Sequence, residues 1–169
     1  MQNAKAIVPK PVNEPILSYA PGTPERTALK TRIQELKSQQ FEVPLIIGGQ
    51  QIKTGNMGEM RMPHNHKHVL GHYHMAGKKE VKMAIDAAMD AWETWSKMPW
   101  ESRMAIFMKM ATILQRHDDQ TINAATMLSQ SKNAFQAEID ASCEMIDFLN
   151  FNSWYAQDLY SQQPTYSPD

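Results

Sequence analysis

From position 78 onward, apolar residues recur at the three- and four-residue spacing of an α-helix. Val81, Ile85, Ala88, Trp92 and Trp95 fall within about 80° of one another, with Lys79, Lys82, Asp86, Asp90 and Glu93 elsewhere, which predicts an amphipathic helix ending near Met98-Pro99. The next predicted helix, about Trp100 to Arg116, has Met104, Phe107, Met108, Ala111 and Leu114 on one side and Ile106 and Ile113 on another, so deeper burial is expected. A short helix over about Asp119 to Ser129 then leads into a long one over 129–155. In the long helix Phe135, Ile139, Cys143, Ile146 and Leu149 share one face, and Phe148, Phe151 and Tyr155 share roughly the opposite one. A helix apolar on two sides is packed between two layers. Asp140, Asp147 and Asp158 form its polar edge. Glu144 stands apart from that edge: four residues before Phe148, seven before Phe151 and eleven before Tyr155, it projects from an apolar face, where a carboxylate is costly unless paired.

The first half reads differently. Residues 1–22 carry Pro9, Pro11, Pro15 and Pro21, which remove backbone donors and fix φ, so an extended arm is expected there. Thr23-Pro24-Glu25 supplies an N-cap, a proline for the first helical position and an acid for the first turn of a helix to about Ser38, with Leu29, Ile33 and Leu36 as a narrow apolar stripe. Phe41–Lys53 reads as a β-hairpin turning at Gly48-Gly49. No third glycine, Gly-Lys-Ser/Thr or helix follows that pair, so a turn is preferred to a phosphate loop. After a turn at Thr54-Gly55-Asn56, Met57–Met62 and Val69–Met75 alternate as strands of a small antiparallel meander. The fold class read from these patterns is mainly α with small antiparallel β hairpins.

Composition narrows the class of function. The 169 residues, 42% of them hydrophobic, can bury a core, and the length suits one domain or part of a larger one. With 17 basic and 18 acidic residues in no run or stripe, a nucleic-acid partner is not expected; nor is a membrane, since no apolar stretch approaches about 20 residues. The amino terminus lacks a secretory core and presequence arginines, which reads as a cytoplasmic start. One cysteine, Cys143, excludes an internal disulfide and fits a reducing compartment. Cys143 lies mid-helix on the apolar face and reads as structural rather than reactive. The thirteen methionines, at helical spacing, read as core filling. His64, His66, His68, His72 and His74 cluster in sequence, but no Cys, Asp or Glu stands beside them to complete a ligand set, so no metal site is assigned.

Five stretches carry a family resemblance: Asn13-Glu14-Pro15-Ile16-Leu17, Gly22-Thr23-Pro24-Glu25-Arg26, Pro63-His64-Asn65-His66-Lys67-His68, Ala105-Ile106-Phe107-Met108-Lys109 and, above all, Gln136-Ala137-Glu138-Ile139-Asp140-Ala141. Together, from about Asn13 to Pro164, they resemble the amino-terminal region of the delta-1-pyrroline-5-carboxylate dehydrogenases, a branch of the aldehyde dehydrogenase superfamily. The resemblance implies part of an α/β fold of that kind, and NAD-dependent oxidation of L-glutamate γ-semialdehyde to glutamate in proline degradation. In such enzymes a cysteine thiolate attacks the aldehyde, hydride passes to the nicotinamide and a glutamate base activates water.

The resemblance also implies that nucleophile, base and NAD site lie beyond Asp169, members being about three times as long. Residues 23–169 are then an incomplete domain behind the arm, inactive alone and with no catalytic residue of their own. Glu144 is the one position that the resemblance assigns, to the substrate pocket near the amine end of the semialdehyde. Members commonly have Gly where Ser131 stands. The expected partners are the small-molecule substrate, the remainder of the dehydrogenase and further copies in a homo-oligomer. The alternative is a non-catalytic helical interaction module derived from the same region; two-faced apolar helices argue against it, because they leave too much apolar surface bare.

Overall fold

A computed structural model describes residues 6–162, 164 and 166, with the backbone alone at His117 and Asp118. Residues 6–22 run without helix or strand to α1, Pro24–Lys37. Five strands follow: β1, Phe41–Val43; β2, Leu45–Ile47; β3, Gln50–Ile52; β4, Met57–Met62; and β5, Asn65–His74. β2 and β3 make the expected hairpin, and Gly48 and Gly49 turn it with φ of 55° and 76°. Positive φ at both central residues suits the twist of a two-residue hairpin, and glycine adopts it without strain.

The strand pairing corrects the sequence reading in one respect. Phe41–Val43 does not belong to the hairpin but pairs parallel with β5, Phe41 opposite Gly71 and Val43 opposite Tyr73. Pro44, without an N–H, separates the two short strands. β4 and β5 pair antiparallel, so the larger sheet has the order β1-β5-β4. The approach at Gly71 is close enough that a Cβ there would collide with the backbone of Phe41.

The helices are α2, Lys78–Trp95; α3, Trp100–Ile113; α4, Asp119–Gln130; α5, Ala134–Ala137; and α6, Glu144–Ser161. π-helical turns at Leu114–Asp118 and Glu138–Cys143 join α3 to α4 and α5 to α6. The long helix therefore starts at Ala134 and runs to Ser161, not over 129–155, and Ser129 and Gln130 close α4. Ser131 has a φ of 60°, a left-handed residue that stops α4. Asn133 restarts the chain with a capping box: its Oδ1 accepts from the Gln136 N–H at 2.9 Å and Gln136 Oε1 accepts from its own N–H at 3.1 Å.

Three apolar clusters hold these elements together. Tyr19, Leu29 and Ala124 join the arm, α1 and α4; Met62, Leu70 and Leu128 seat the sheet on α4; Ala111, Leu114 and Ile146 join α3 to α6. Outside them, apolar faces stay bare. α2 buries no residue, and Trp92 is 60% exposed. On α3 only Ala111 is buried, so the deeper burial expected from its two apolar sides does not occur within this chain.

Two variants test the backbone argument. Gly71→Ala is expected to lose about 2–3 kcal/mol of stability through the Phe41 collision, read from the urea midpoint. At Ser131, glycine and alanine both delete the hydroxyl and differ in left-handed strain. Ser131→Gly is expected to exceed Ser131→Ala by about 1 kcal/mol in the same assay.

Candidate functional site

The arm is fastened to the long helix at two carboxylates. Asp147 on α6 accepts from Asn13 Nδ2 and from the Glu14 N–H, both at 2.7 Å. Nine residues earlier, Glu138 in the π-helical turn accepts the Leu17 N–H at 2.9 Å on Oε1 and the Tyr19 hydroxyl at 2.6 Å on Oε2. Asn123 Nδ2 of α4 adds a third donor, at 2.7 Å to Oε2. Ser142 Oγ lies 2.8 Å from Asn123 Oδ1, which fixes the orientation of that amide. Glu138 is 2% exposed, as buried as any carboxylate can be when its oxygens are this fully supplied.

Between the arm and α6 lies an open groove of about 570 Å³. Ile16, Ile139, Phe148, Phe151 and Tyr155 give it apolar walls, and Glu14, Asp140, Glu144 and Asp147 supply four carboxylates. Three of these are engaged: Asp147 with the arm, Asp140 with Lys132 Nζ at 2.9 Å and Glu14 with Gln115 Nε2. Glu144 has no hydrogen-bond or ion-pair partner among the described residues. It is the exposed first residue of α6 and lines the groove beside Phe148, Phe151 and Tyr155, the three aromatic residues with which the sequence pattern grouped it. A cationic ligand group entering this groove meets one acceptor that nothing else has claimed.

Cys143 also lines the groove, but its thiol is held out of such chemistry. It is buried, with Sγ 3.8 Å from the Pro15 carbonyl and 3.7 Å from Glu138 Oε1. Burial first and the Glu138 charge second push its thiol from 9.0 up to about 12, so the thiolate nucleophile does not form near neutrality. Burial and the same carboxylate also push the Tyr19 hydroxyl well above its ordinary range.

The histidines take separate partners. His74 Nδ1 accepts from the Thr54 and Gly55 N–H groups at 3.0 and 3.1 Å, while Nε2 lies 2.9 Å from Glu42 Oε1. His64 Nδ1 lies 2.8 Å from Ser131 Oγ, and His72 Nε2 lies 3.9 Å from Glu59. Among the described residues no group of three or more His, Cys, Asp or Glu side chains converges as a metal would require. Gly48 and Gly49 turn into a strand rather than a helix N-terminus, so these residues do not fit a dinucleotide pyrophosphate. No βαβ unit occurs among the described elements, and none of their helices is long and apolar enough to cross a membrane.

Glu138 and Asp147 escaped assignment from sequence. The π-helical turn admits one extra residue, which rotates everything before it by about 100° relative to α6. Glu138 thereby turns inward, toward the side of Ile146, and Phe135, assigned to that side at uniform pitch, is 59% exposed. Asp147 was read as water-facing because its partner lies 134 positions away.

The groove between the arm and α6, with apolar walls and one carboxylate that has no partner among the described residues, can receive a small molecule that carries a cation. The sequence profile of the aldehyde dehydrogenase family matches residues 52–168, and the chain belongs to that family. It is 45% identical over 158 residues to the delta-1-pyrroline-5-carboxylate dehydrogenase of Agaricus bisporus, covering 93% of this chain and 29% of that protein. The mitochondrial human enzyme of the same name is 38% identical over 159 residues, covering 94% and 28%. In the crystal structure of the Delta-pyrroline-5-carboxylate dehydrogenase from Mycobacterium tuberculosis bound with NAD, 31% of the chain superposes on 99% of this one, with a TM-score of 0.93 and 40% identity. The chain thus spans under a third of the length of these relatives.

The raised Cys143 and Tyr19 groups set an alkaline limit. Above about pH 9 the unfolded chain releases protons that the folded chain retains, so stability present below that pH is lost as pH climbs toward 12. Urea midpoints are expected to fall between about pH 8 and about pH 10.5, and less steeply in Cys143→Ala.

Proposed function

We propose that this chain supplies the substrate-anchoring wall of a longer NAD-dependent dehydrogenase that oxidises L-glutamate γ-semialdehyde, the open form of pyrroline-5-carboxylate, to L-glutamate. The observation that carries the reading is Glu144: of four carboxylates lining the groove, it alone has no partner among the described residues. A substrate with an ammonium group, or a ring nitrogen in its cyclic form, matches that acceptor, and Phe148, Phe151 and Tyr155 offer apolar surface to its carbon chain.

NAD would accept the hydride, and it would be held by residues outside those described here. The part played by this chain is to bind and orient. Glu144 receives the nitrogen end of the substrate, and Ile16, Phe148 and Phe151 flank its carbon chain. The bare faces of α2 and α3 support a setting in which further protein covers them, rather than a free-standing helical module. For compartment and assembly we propose the cytoplasm, a reducing compartment with which the free thiol of Cys143 is compatible, and a homo-oligomer; imaging of the tagged protein and its sedimentation test these two points. The human and Dictyostelium discoideum relatives are mitochondrial by name.

Glu144→Ala in the full-length dehydrogenase carrying this chain is expected to cost about 2–3 kcal/mol of substrate binding, a roughly 30- to 150-fold rise in KM for glutamate semialdehyde. A simple aldehyde without an amine should be affected far less. Equal losses on both substrates would make Glu144 a structural residue. The 169-residue chain alone is expected to form no NADH from glutamate semialdehyde and NAD, since Cys143 is buried and the dinucleotide fold is absent among the described elements.

A further inference from the structure

The groove has two walls, and only one of them is a helix. Its other wall is the arm at Asn13, Glu14 and Ile16, a segment without backbone pairing of its own. Such a segment holds its place only through the groups that catch it. One end is caught at Asp147, as described, and the other at Glu138, whose two oxygens take the Leu17 N–H and the Tyr19 hydroxyl. Tyr19 itself has a φ of 53°, a left-handed conformation that a tyrosine keeps only when its surroundings impose it. The Arg26 guanidinium, donating to the Tyr19 carbonyl at 3.0 Å, and the captured hydroxyl do so together.

Glu138 also sits at the start of the π-helical turn whose last residue, Cys143, immediately precedes Glu144. Its bond to Asn123 ties this turn to α4. The phase of α6, and hence the direction in which Glu144 projects, follows from the turn staying wide.

We infer that Glu138 is a positioning residue for the substrate groove: it does not touch the ligand, but fixes the arm opposite Glu144 and the helical phase that aims Glu144 across the gap. This rests on the proposed role of Glu144 and extends it by one layer. Glutamine at position 138 keeps the volume but replaces one accepting oxygen with a donor; the amide oxygen stays where the Tyr19 hydroxyl and Asn123 Nδ2 both donate, so the Leu17 N–H loses its acceptor.

The test uses the full-length dehydrogenase carrying this chain, with Glu138→Gln, Glu144→Ala and the double variant. Glu138→Gln is expected to raise KM for glutamate semialdehyde about tenfold and to change KM for an amine-free aldehyde less than about twofold. The double variant should be no worse than Glu144→Ala alone, because Glu138 acts through Glu144. Amide exchange at Leu17 should accelerate in Glu138→Gln. Should Glu138→Gln fail to fold, Tyr19→Phe carries the same measurements, with an expected rise of about threefold. An unchanged KM, equal changes on both substrates, or full additivity with Glu144→Ala would overturn the inference. If Glu144→Ala itself fails to separate the two substrates, the proposed function falls, whereas a normal Glu144→Ala with an inert Glu138→Gln removes the positioning role alone.

Discussion

A carboxylate in a helical interior must be supplied with donors, and Glu138 makes the rest of the chain supply them. Removing such a group from water costs several kcal/mol, which is recovered only if the oxygens are well bonded. The strong donors come from two stretches outside the turn, the arm through Leu17 and Tyr19 and α4 through Asn123, and a weaker one, the thiol of Cys143, from within it. Because the strong donors belong to other elements, satisfying one residue brings the arm, α4 and the long helix into a single arrangement. The Tyr19, Leu29 and Ala124 cluster lies beside this network, so apolar burial and polar satisfaction reinforce each other there.

What sequence could show depended on how local the cause was. Proline content disclosed the absence of helix and strand over 6–22, Gly48-Gly49 the hairpin turn, and period-two alternation the placement of Met60 and Met62 opposite Glu59 and Arg61. Each of those signals acts within a few residues. The parallel pairing of Phe41–Val43 with β5 depends on Gly71, thirty residues away, having no side chain, and nothing in strands this short announces it. The break at Ser131 left a trace, since a serine stood where glycine is usual in the resembling family, but periodicity alone carried the long helix straight through it.

The candidate site divides along the same line. The place of Glu144 on the groove was legible because Phe148, Phe151 and Tyr155, which line it too, lie within eleven residues on one regular stretch of α6, downstream of the π-helical turn; the buried setting that made a carboxylate there costly does not hold, since Glu144 is exposed. Glu138 was not, because uniform pitch placed it on the wrong side of a helix whose register changes at that residue. A helical wheel is reliable only within segments of constant winding. Phe135 is the control: it lies before the turn, was assigned to the buried face, and is exposed.

The two glutamates, six residues apart, show how one fold uses a carboxylate in opposite ways. At Glu138 every strong direction is occupied by protein donors, which removes the group from ligand chemistry and converts its charge into geometry. At Glu144 protein donors are missing while the neighbours are aromatic, so the charge keeps its attraction for a cation that arrives from outside. Neither condition would hold with the other's surroundings. An arm fastened by Glu144 would fill the groove, and an unpaired Glu138 would leave an uncompensated charge in the core, at a cost of about 3–5 kcal/mol. The π-helical turn lies between them and keeps them apart, one residue of extra winding sending the first inward and leaving the second at the groove.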